Sequence, residues 1–307
     1  MQHIKALDSV HLKNTWLTIG TFDGVHIGHQ EIIEHLVSGA HNQGLQAVVL
    51  TFFPHPAVIL GKRQAPLYLT TPDERANLLG DMGVDVVITQ PFNQATADLT
   101  ADEFLTWVKD RTGFIHLAVG FDFAMGKGRL GNVGYLKELG VHLGYSLDTF
   151  PQIWSENEPV SSSQVRLALS LGDVEKAARL LGRPFKIQGL VVPGDGRGRT
   201  IGIPTANLEI WSEQALPLPG VYACRAEVNG QTWNAVTNLG YRPTFNDQTP
   251  ILRVETHLLD AAEDFYGKEL RLTFIARLRN EQRFENIEGL INQIRQDISQ
   301  ARLILTR

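Results

Sequence analysis

Over the first 150 residues, short apolar runs alternate with helix-patterned segments, and this alternation constrains the fold more than any other feature. The spacing predicts strands at Trp16–Ile19, Ala47–Phe52, Val84–Thr89 and His116–Val119, with another near Ser146–Ile153. It predicts helices between them, near Gly28–Asn42, Pro72–Asp81, Asp102–Arg111 and Asn132–Leu139. The Pro72 helix has a full start signal: Thr71 as N-cap, Pro72 in the first helical position, then Asp73 and Glu74 in the first turn. Strands separated by helices require right-handed crossovers, so a mostly parallel, Rossmann-like sheet covered on both faces is expected. Ligands bind such sheets beyond the carboxyl ends of the strands.

The texture changes further on. From Ser161 to Leu181 the pattern is helical, with turn signals at Gly172-Asp173 and Gly182. After Arg183-Pro184, strand-like runs recur near Lys186–Val192, Val221–Val228, Thr232–Asn238, Arg253–Leu259 and Leu270–Arg277. Short strands with few helices between them predict an antiparallel barrel or sandwich. A last helix is expected from about Ile287, with Ile287, Leu290, Ile291, Ile294 and Ile298 packed as one apolar face. The predicted domains are therefore residues 1–184, α/β, and 185–307, all-β with a terminal helix. The 307-residue length fits two such domains.

Composition narrows the function classes. A net charge of −5 argues against a nucleic-acid binder, which would show a basic excess or stripe. The sole cysteine, Cys224, cannot form an internal disulfide, which points to a reducing cytoplasm. No apolar run approaches the roughly 18 residues needed to cross a membrane, and the first residues lack a signal peptide's apolar core. The acidic excess lies entirely before Lys186, where 19 acidic residues face 14 basic ones.

The most specific segment is Gly20-Thr-Phe-Asp-Gly-Val-His-Ile-Gly-His29, which follows a strand and opens a helix. Gly24 and Gly28 permit a tight turn and close approach of backbone to ligand. The helix start offers free N–H groups and partial positive charge, which suit phosphate. His26 and His29, three apart, can both donate to phosphate oxygens there. A second glycine segment, Gly120 to Gly131, follows the fourth strand and carries Lys127 and Arg129, again suited to phosphate. It contains a GxGxxG match but lies too late for a dinucleotide fingerprint, and it lacks the hydroxyl residue of a Walker A loop. In the later half, Gly194-Asp-Gly-Arg-Gly198 can present several backbone N–H groups to phosphate. Pro204-Thr-Ala-Asn207 adds Thr205 and Asn207, neutral oxygen ligands of the kind Mg²⁺ accepts.

These motifs carry a resemblance. Gly20-x-Phe22-Asp23-Gly24-x-His26-x-Gly28-His29 resembles the HxGH signature of the nucleotidylyltransferase superfamily. Val160-Ser-Ser-Ser-Gln-Val-Arg166 resembles that superfamily's second signature, with Ser163 where threonine is usual. Gly120–Gly131 resembles the flavin-nucleotide loop of prokaryotic FAD synthetases, although Met125 and Asn132 replace phenylalanine and aspartate. Thr51-Phe-Phe-Pro-His55-Pro is similar to the same family's post-strand segment. Gly194–Asn207 resembles the riboflavin kinase motif, with Ile203 in place of a phenylalanine. Asn238-Leu-Gly-Tyr-Arg-Pro-Thr-Phe245 and Val254-Glu-Thr-His-Leu-Leu-Asp260 continue that match. Over roughly residues 15–305, the chain resembles the bifunctional riboflavin kinase/FMN adenylyltransferase family.

The resemblance implies two reactions: riboflavin to FMN, then FMN to FAD, with ATP as co-substrate in both and Mg²⁺ required. It implies catalytic roles for His26, His29 and, as a base, Glu255. It places ATP on Gly20, Phe22, Asp23, Gly24, Gly28, Ser162, Ser163, Arg166, Gly194, Gly196, Arg197, Gly198, Thr205 and Asn207. Flavin contacts fall to His55, Asp122, Phe123, Lys127 and Arg129, and Thr205 and Asn207 are the metal ligands. The implied barrel is riboflavin kinase-like. Partners are small molecules only, and the oligomeric state stays open. Two alternatives remain at this level: a flavin-binding regulator without catalysis, and a nucleotidylyltransferase for another phosphorylated acceptor, such as pantetheine phosphate or glycerol phosphate.

Overall fold

The computed structural model describes residues 1–61, 68–194, 198, 201–242 and 251–306. The chain divides into two compact units, Met1–Ser162 and Ser163–Arg307.

The first unit opens with β1 (Gln2–Ile4), β2 (Thr15–Ile19), α1 (Ile27–Asn42), β3 (Ala47–Phe53), α2 (Pro56–Ile59), α3 (Pro72–Asp81) and β4 (Val86–Pro91). It continues through α4 (Gln94–Asp98), α5 (Ala101–Thr112), β5 (Phe114–Gly120), β6 (Ala124–Met125), β7 (Gly131–Asn132), α6 (Val133–Leu143) and β8 (Ser146–Phe150). A small hairpin of β9 (Trp154–Ser155) and β10 (Glu158–Pro159) ends it. Six strands form one parallel sheet in the order β1-β4-β3-β2-β5-β8. Alternation along the strands splits the core into two layers. Leu17, Ile19, Leu50 and Leu117 face α5 and α6 through Leu105, Val108 and Leu136. Trp16, Val49, Val87 and Ala118 face α1 and α3 through Ile33, Leu36 and Leu79. From β2 the chain builds outward through β3 to β4, then returns to place β5 on β2's other side. The carboxyl ends of β2 and β5 therefore flank the switch point, where open sheets of this kind take ligands.

The predicted parallel sheet is present, with differences at its margins. Edge strand β1 and the short hairpins β6–β7 and β9–β10 are too brief to show a period. The run from Ser146 ends as a strand at Phe150, and the helix expected at Asn132–Leu139 runs Val133–Leu143 with Asn132 as its cap. Helix α3 matches its start signal: Thr71 Oγ1 accepts from Glu74 N at 3.1 Å while Glu74 Oε2 accepts from Thr71 N at 2.8 Å.

In the second unit, α7 (Ser162–Ser170), which starts on the last residue of the first unit, and α8 (Val174–Leu181) precede six strands. These are β11 (Lys186–Val192), β12 (Ala206–Ile210), β13 (Gly220–Val228), β14 (Gln231–Arg242), β15 (Ile251–Leu258) and β16 (Glu269–Arg279). All pairings are antiparallel and the sheet closes as a barrel, β11-β12-β15-β14-β13-β16. Closure removes the exposed edges that a sandwich would leave. Cys224 is buried in β13, and burial pushes its thiol up to about 12, which leaves it inert. The terminal helix, Ile287–Leu305, packs Ile298, Ala301 and Leu305 on Val221, Ala223 and Val236 of the barrel's outer wall. Its expected single apolar face is divided, because the first turns overhang that wall: Ile287 is exposed, and Leu290 and Ile294 line a cavity.

Candidate active sites

The first site is built by the loop that leaves β2. Three residues there, Phe22 (φ 47°), Gly24 (φ 81°) and Val25 (φ 43°), take left-handed backbone conformations, a strained arrangement for the branched Val25. Buried Asp23 holds the turn in that shape. Its carboxylate accepts from Leu69 N (3.0 Å), Thr70 N (3.1 Å) and Thr70 Oγ1 (3.2 Å), while its carbonyl accepts from Ser162 Oγ at 2.8 Å. A Cβ on Gly20 would lie 2.9 Å from the Phe22 ring, so the ring folds back over a bare backbone.

His26 caps α1: its Nδ1 accepts from His29 N at 3.3 Å, which leaves the ring proton of the neutral form on Nε2. The rings of His26 and His29 stack with centroids 3.6 Å apart, and Phe22 meets His29 edge-on at 5.1 Å. Burial first, then the adjacent His26 and Arg75, hold His29 well below the usual imidazole range. His29 Nδ1 is buried without a hydrogen-bond partner among the described residues. Buried polar atoms are rarely left this way, and one next to a helix start is suited to a ligand's oxygen.

Arg75 gave no sequence signal. It is 1% exposed and reaches from α3 to Thr21 O (2.7 Å), Thr51 Oγ1 (2.9 Å) and Phe52 O (3.3 Å), linking the ends of β2 and β3. A lone arginine in a helical pattern reads as a solvated face.

Beside this loop, a cavity of about 540 Å³ opens between the ends of β2 and β5. Gly20, Phe52, Phe92, Phe104 and Met125 line it, as do the predicted flavin residues His55, Asp122, Phe123 and Arg129. Lys127 instead stands 3.8 Å from Asp98. Gly126 (φ 71°) lies so close to α5 that a Cβ would come within 2.5 Å of Ala101 N, so the loop can seat only as glycine. The serine-arginine motif forms the first turns of α7: Ser162 reaches Asp23, and Ser163 and Arg166 follow one and four residues later on the helix.

The second site lies on the outside of the barrel. Register places Glu255 opposite both Asn207 on β12 and Asn238 on β14, so these three side chains form one row across adjacent strands. A cavity of about 340 Å³ covers that row, lined by Thr205, Val236, Asn238, Glu255, His257 and Arg279, with Phe284, Leu290 and Ile294 from the terminal segment. A second cavity, of about 320 Å³, shares Thr205 and is bordered by Glu263, Asp264, Phe265 and Tyr266. A Cβ on Gly194 would lie 2.0 Å from Asn207 Nδ2, so the glycine loop rests directly on Asn207. Gly198 turns the chain, its carbonyl accepting from Ile203 N at 2.8 Å. Gly196, Arg197 and the segment 243–250 lie outside the described residues. His257 and Asn238 were legible as motif members. Arg279 and Asp297 were not: Asp297, 2% exposed, takes Arg279 Nε and Nη2 at 2.9 and 2.8 Å and Gln293 Nε2 at 2.9 Å, which moors the terminal helix beside the cavity.

Comparison with known proteins accounts for both halves. The FAD synthetase family model matches residues 8–164, and the riboflavin kinase family model matches 181–305. Bifunctional riboflavin kinase/FMN adenylyltransferases match over nearly the whole chain. The Bacillus subtilis protein is 37% identical, covering 93% of this chain and 90% of its own. The Pseudomonas fluorescens protein is 39% identical over 94% and 92%, and the Escherichia coli protein 38% identical over 93% and 91%. A crystal structure from Streptococcus pneumoniae, described as a macrolide-efflux protein, superposes with a TM-score of 0.90 at 30% identity, covering 98% of each chain. Among the described residues, no helix of this chain is long and apolar enough to cross a membrane. With a histidine-bearing loop on a parallel sheet, a glutamate row on a closed barrel and these relatives, the chain belongs to the bifunctional riboflavin kinase/FMN adenylyltransferase family.

Proposed function

We propose that the barrel phosphorylates riboflavin with ATP to give FMN, and that the sheet domain then joins FMN to AMP, giving FAD and pyrophosphate. The functional division is placed at 184/185. Residues 165–180 fall between the two family models. The observation that carries the reading is one chain holding two differently built sites, the histidine loop within the segment matched by the FAD synthetase model and the glutamate row within that matched by the riboflavin kinase model.

For adenylylation, an FMN phosphate oxygen attacks the α-phosphorus of ATP in line and pyrophosphate leaves. No protein nucleophile is needed, so catalysis comes from alignment and from charge stabilisation. His26 and His29 donate to phosphate oxygens at the start of α1, and Gly20, Gly24 and Gly28 let the backbone approach. Asp23 acts through the turn it holds, and Phe22 through its contact with His29. Ser162, Ser163 and Arg166 take the triphosphate. The flavin occupies the 540 Å³ cavity against His55, Asp122 and Phe123, with Arg129 at its phosphate end.

For phosphorylation, Glu255 accepts the proton of the ribityl hydroxyl as that oxygen attacks the γ-phosphorus. The flavin ring lies in the cavity bearing Phe284, Leu290 and Ile294, and the nucleotide lies across Thr205 in the neighbouring one. Gly194, Gly196, Arg197 and Gly198 cradle phosphate. The hard oxygen donors of Thr205, Asn207 and Glu255 suit Mg²⁺, with Thr205 and Asn207 as its protein ligands. When bound, the ion neutralises charge on the phosphates. A cytoplasmic setting supplies both substrates.

Incubating the chain with riboflavin and Mg-ATP, followed by chromatography, should yield FMN and then FAD. Riboflavin that binds but stays unchanged would overturn the reading in favour of a flavin carrier.

A further inference from the structure

We propose that His35, His116 and Asp148 form a binding site for a divalent transition-metal ion of the zinc class, outside both reaction sites. The three residues come from α1, β5 and β8. His116 shares the α1-facing side of the sheet with Ala118, whereas the sheet residues Ile19 and Phe52 of the flavin cavity belong to the opposite layer.

The geometry is already gathered. Asp148 Oδ2 lies 2.8 Å from His35 Nε2 and 2.8 Å from His116 Nε2, and the three ligand atoms all fall within 4.8 Å of one another. A tetrahedral ion with bonds of about 2.0–2.1 Å sets its ligand atoms about 3.3 Å apart, so seating it requires the Asp148 contacts to open by roughly half an ångström and the two imidazole nitrogens to adjust to the same spacing. Both rings are held in place from behind. His116 stacks on Trp16 with centroids 3.8 Å apart, and Phe150 meets His35 edge-on at 4.9 Å. His116 Nδ1 lies 2.6 Å from Ser146 Oγ, whose hydroxyl in turn donates to Ile115 O at 3.4 Å. Without an ion, the 2.8 Å contact has His116 Nε2–H donating to Asp148; an ion would displace that proton, and the ligating neutral ring would then carry its proton on Nδ1, donated to Ser146 Oγ as outer partners accept from metal-binding histidines.

The donor set selects the ion. Two imidazoles and one carboxylate suit zinc, cobalt or nickel, whereas Mg²⁺ prefers oxygen throughout. The side chains of His35 and Asp148 are 40% and 42% exposed, so solvent reaches one side and water can complete the coordination. The ion would fasten α1 to two strands about 9 Å along the helix from His29, six residues away. It braces the helix that carries the adenylylation histidines and takes no part in the transfer.

Calorimetric titration of the full chain with ZnCl₂, in chelator-free buffer containing excess Mg²⁺, tests this. One ion should bind, and His35→Ala and Asp148→Asn should each weaken it at least about ten-fold. Thermal unfolding should shift upward with Zn²⁺ in the parent chain and not in His35→Ala. Position 35 is half-exposed on α1, so the alanine chain folds, and its FAD formation without zinc should equal the parent's. Absence of zinc uptake, or uptake equally tight in both variants, would overturn the site.

Discussion

His29 is an imidazole held neutral by its surroundings, and two consequences follow at the scale of that single residue. The folded pKa is depressed, so between that value and the ordinary one of about 6.5 the unfolded chain binds a proton that the folded chain does not. Stability linked to His29 is therefore fully present above pH ~6.5 and is lost as the pH falls through the folded value. A His29→Asn chain should show a shallower loss of thermal stability from pH 7 down to 5, and parallel curves would show that His29 is not the group responsible. Activity separates the two sites more directly. His29→Ala should abolish FAD formation from FMN while riboflavin phosphorylation continues. Glu255→Gln should lower kinase kcat by about 10²-fold or more, the usual contribution of a general base, and spare adenylylation. Loss of both activities from either folded variant would defeat the two-site reading.

At the scale of elements, the capping box on α3 has a reach beyond its own helix, because α3 carries Arg75 to the ends of β2 and β3. Thr71→Ala should cost about 1 kcal/mol in chemical denaturation. What could be read from the sequence was whatever repeats or punctuates: five of the six strands of the parallel sheet, the start of α3, the glycine turns at 172 and 182, and the β14–β15 motif residues. Strand β12 shows no strand signal because its Ala-Asn-Leu-Glu-Ile stretch begins inside a turn motif and lacks β-branched residues until Ile210. Arg75, Arg279 and Asp297 escaped for another reason. A buried ion pair or a buried arginine is defined by distant partners, and no local pattern marks Asp297 as the residue that Arg279 will find. The divided face of the terminal helix follows the same logic, since 3.6-residue periodicity shows which positions point alike but not what they meet.

At the scale of the whole molecule, the proposed division puts one reaction in each half of the chain, so mixing His29→Ala chains with Glu255→Gln chains should restore FAD synthesis from riboflavin. Each variant retains one intact site, and FMN released by the first chain becomes substrate for the second. No FAD from the mixture, with both single activities present, would mean that FMN does not leave the chain that makes it. The terminal helix has a further consequence. Asp297 and the packed turns around Ala301 and Leu305 fix its far end to the barrel wall, while Leu290 and Ile294 overhang the cavity. The helix is thus moored along its later turns, and its first turns roof the cavity. Displacing those first turns would open the cavity without breaking any strand pairing of the closed barrel.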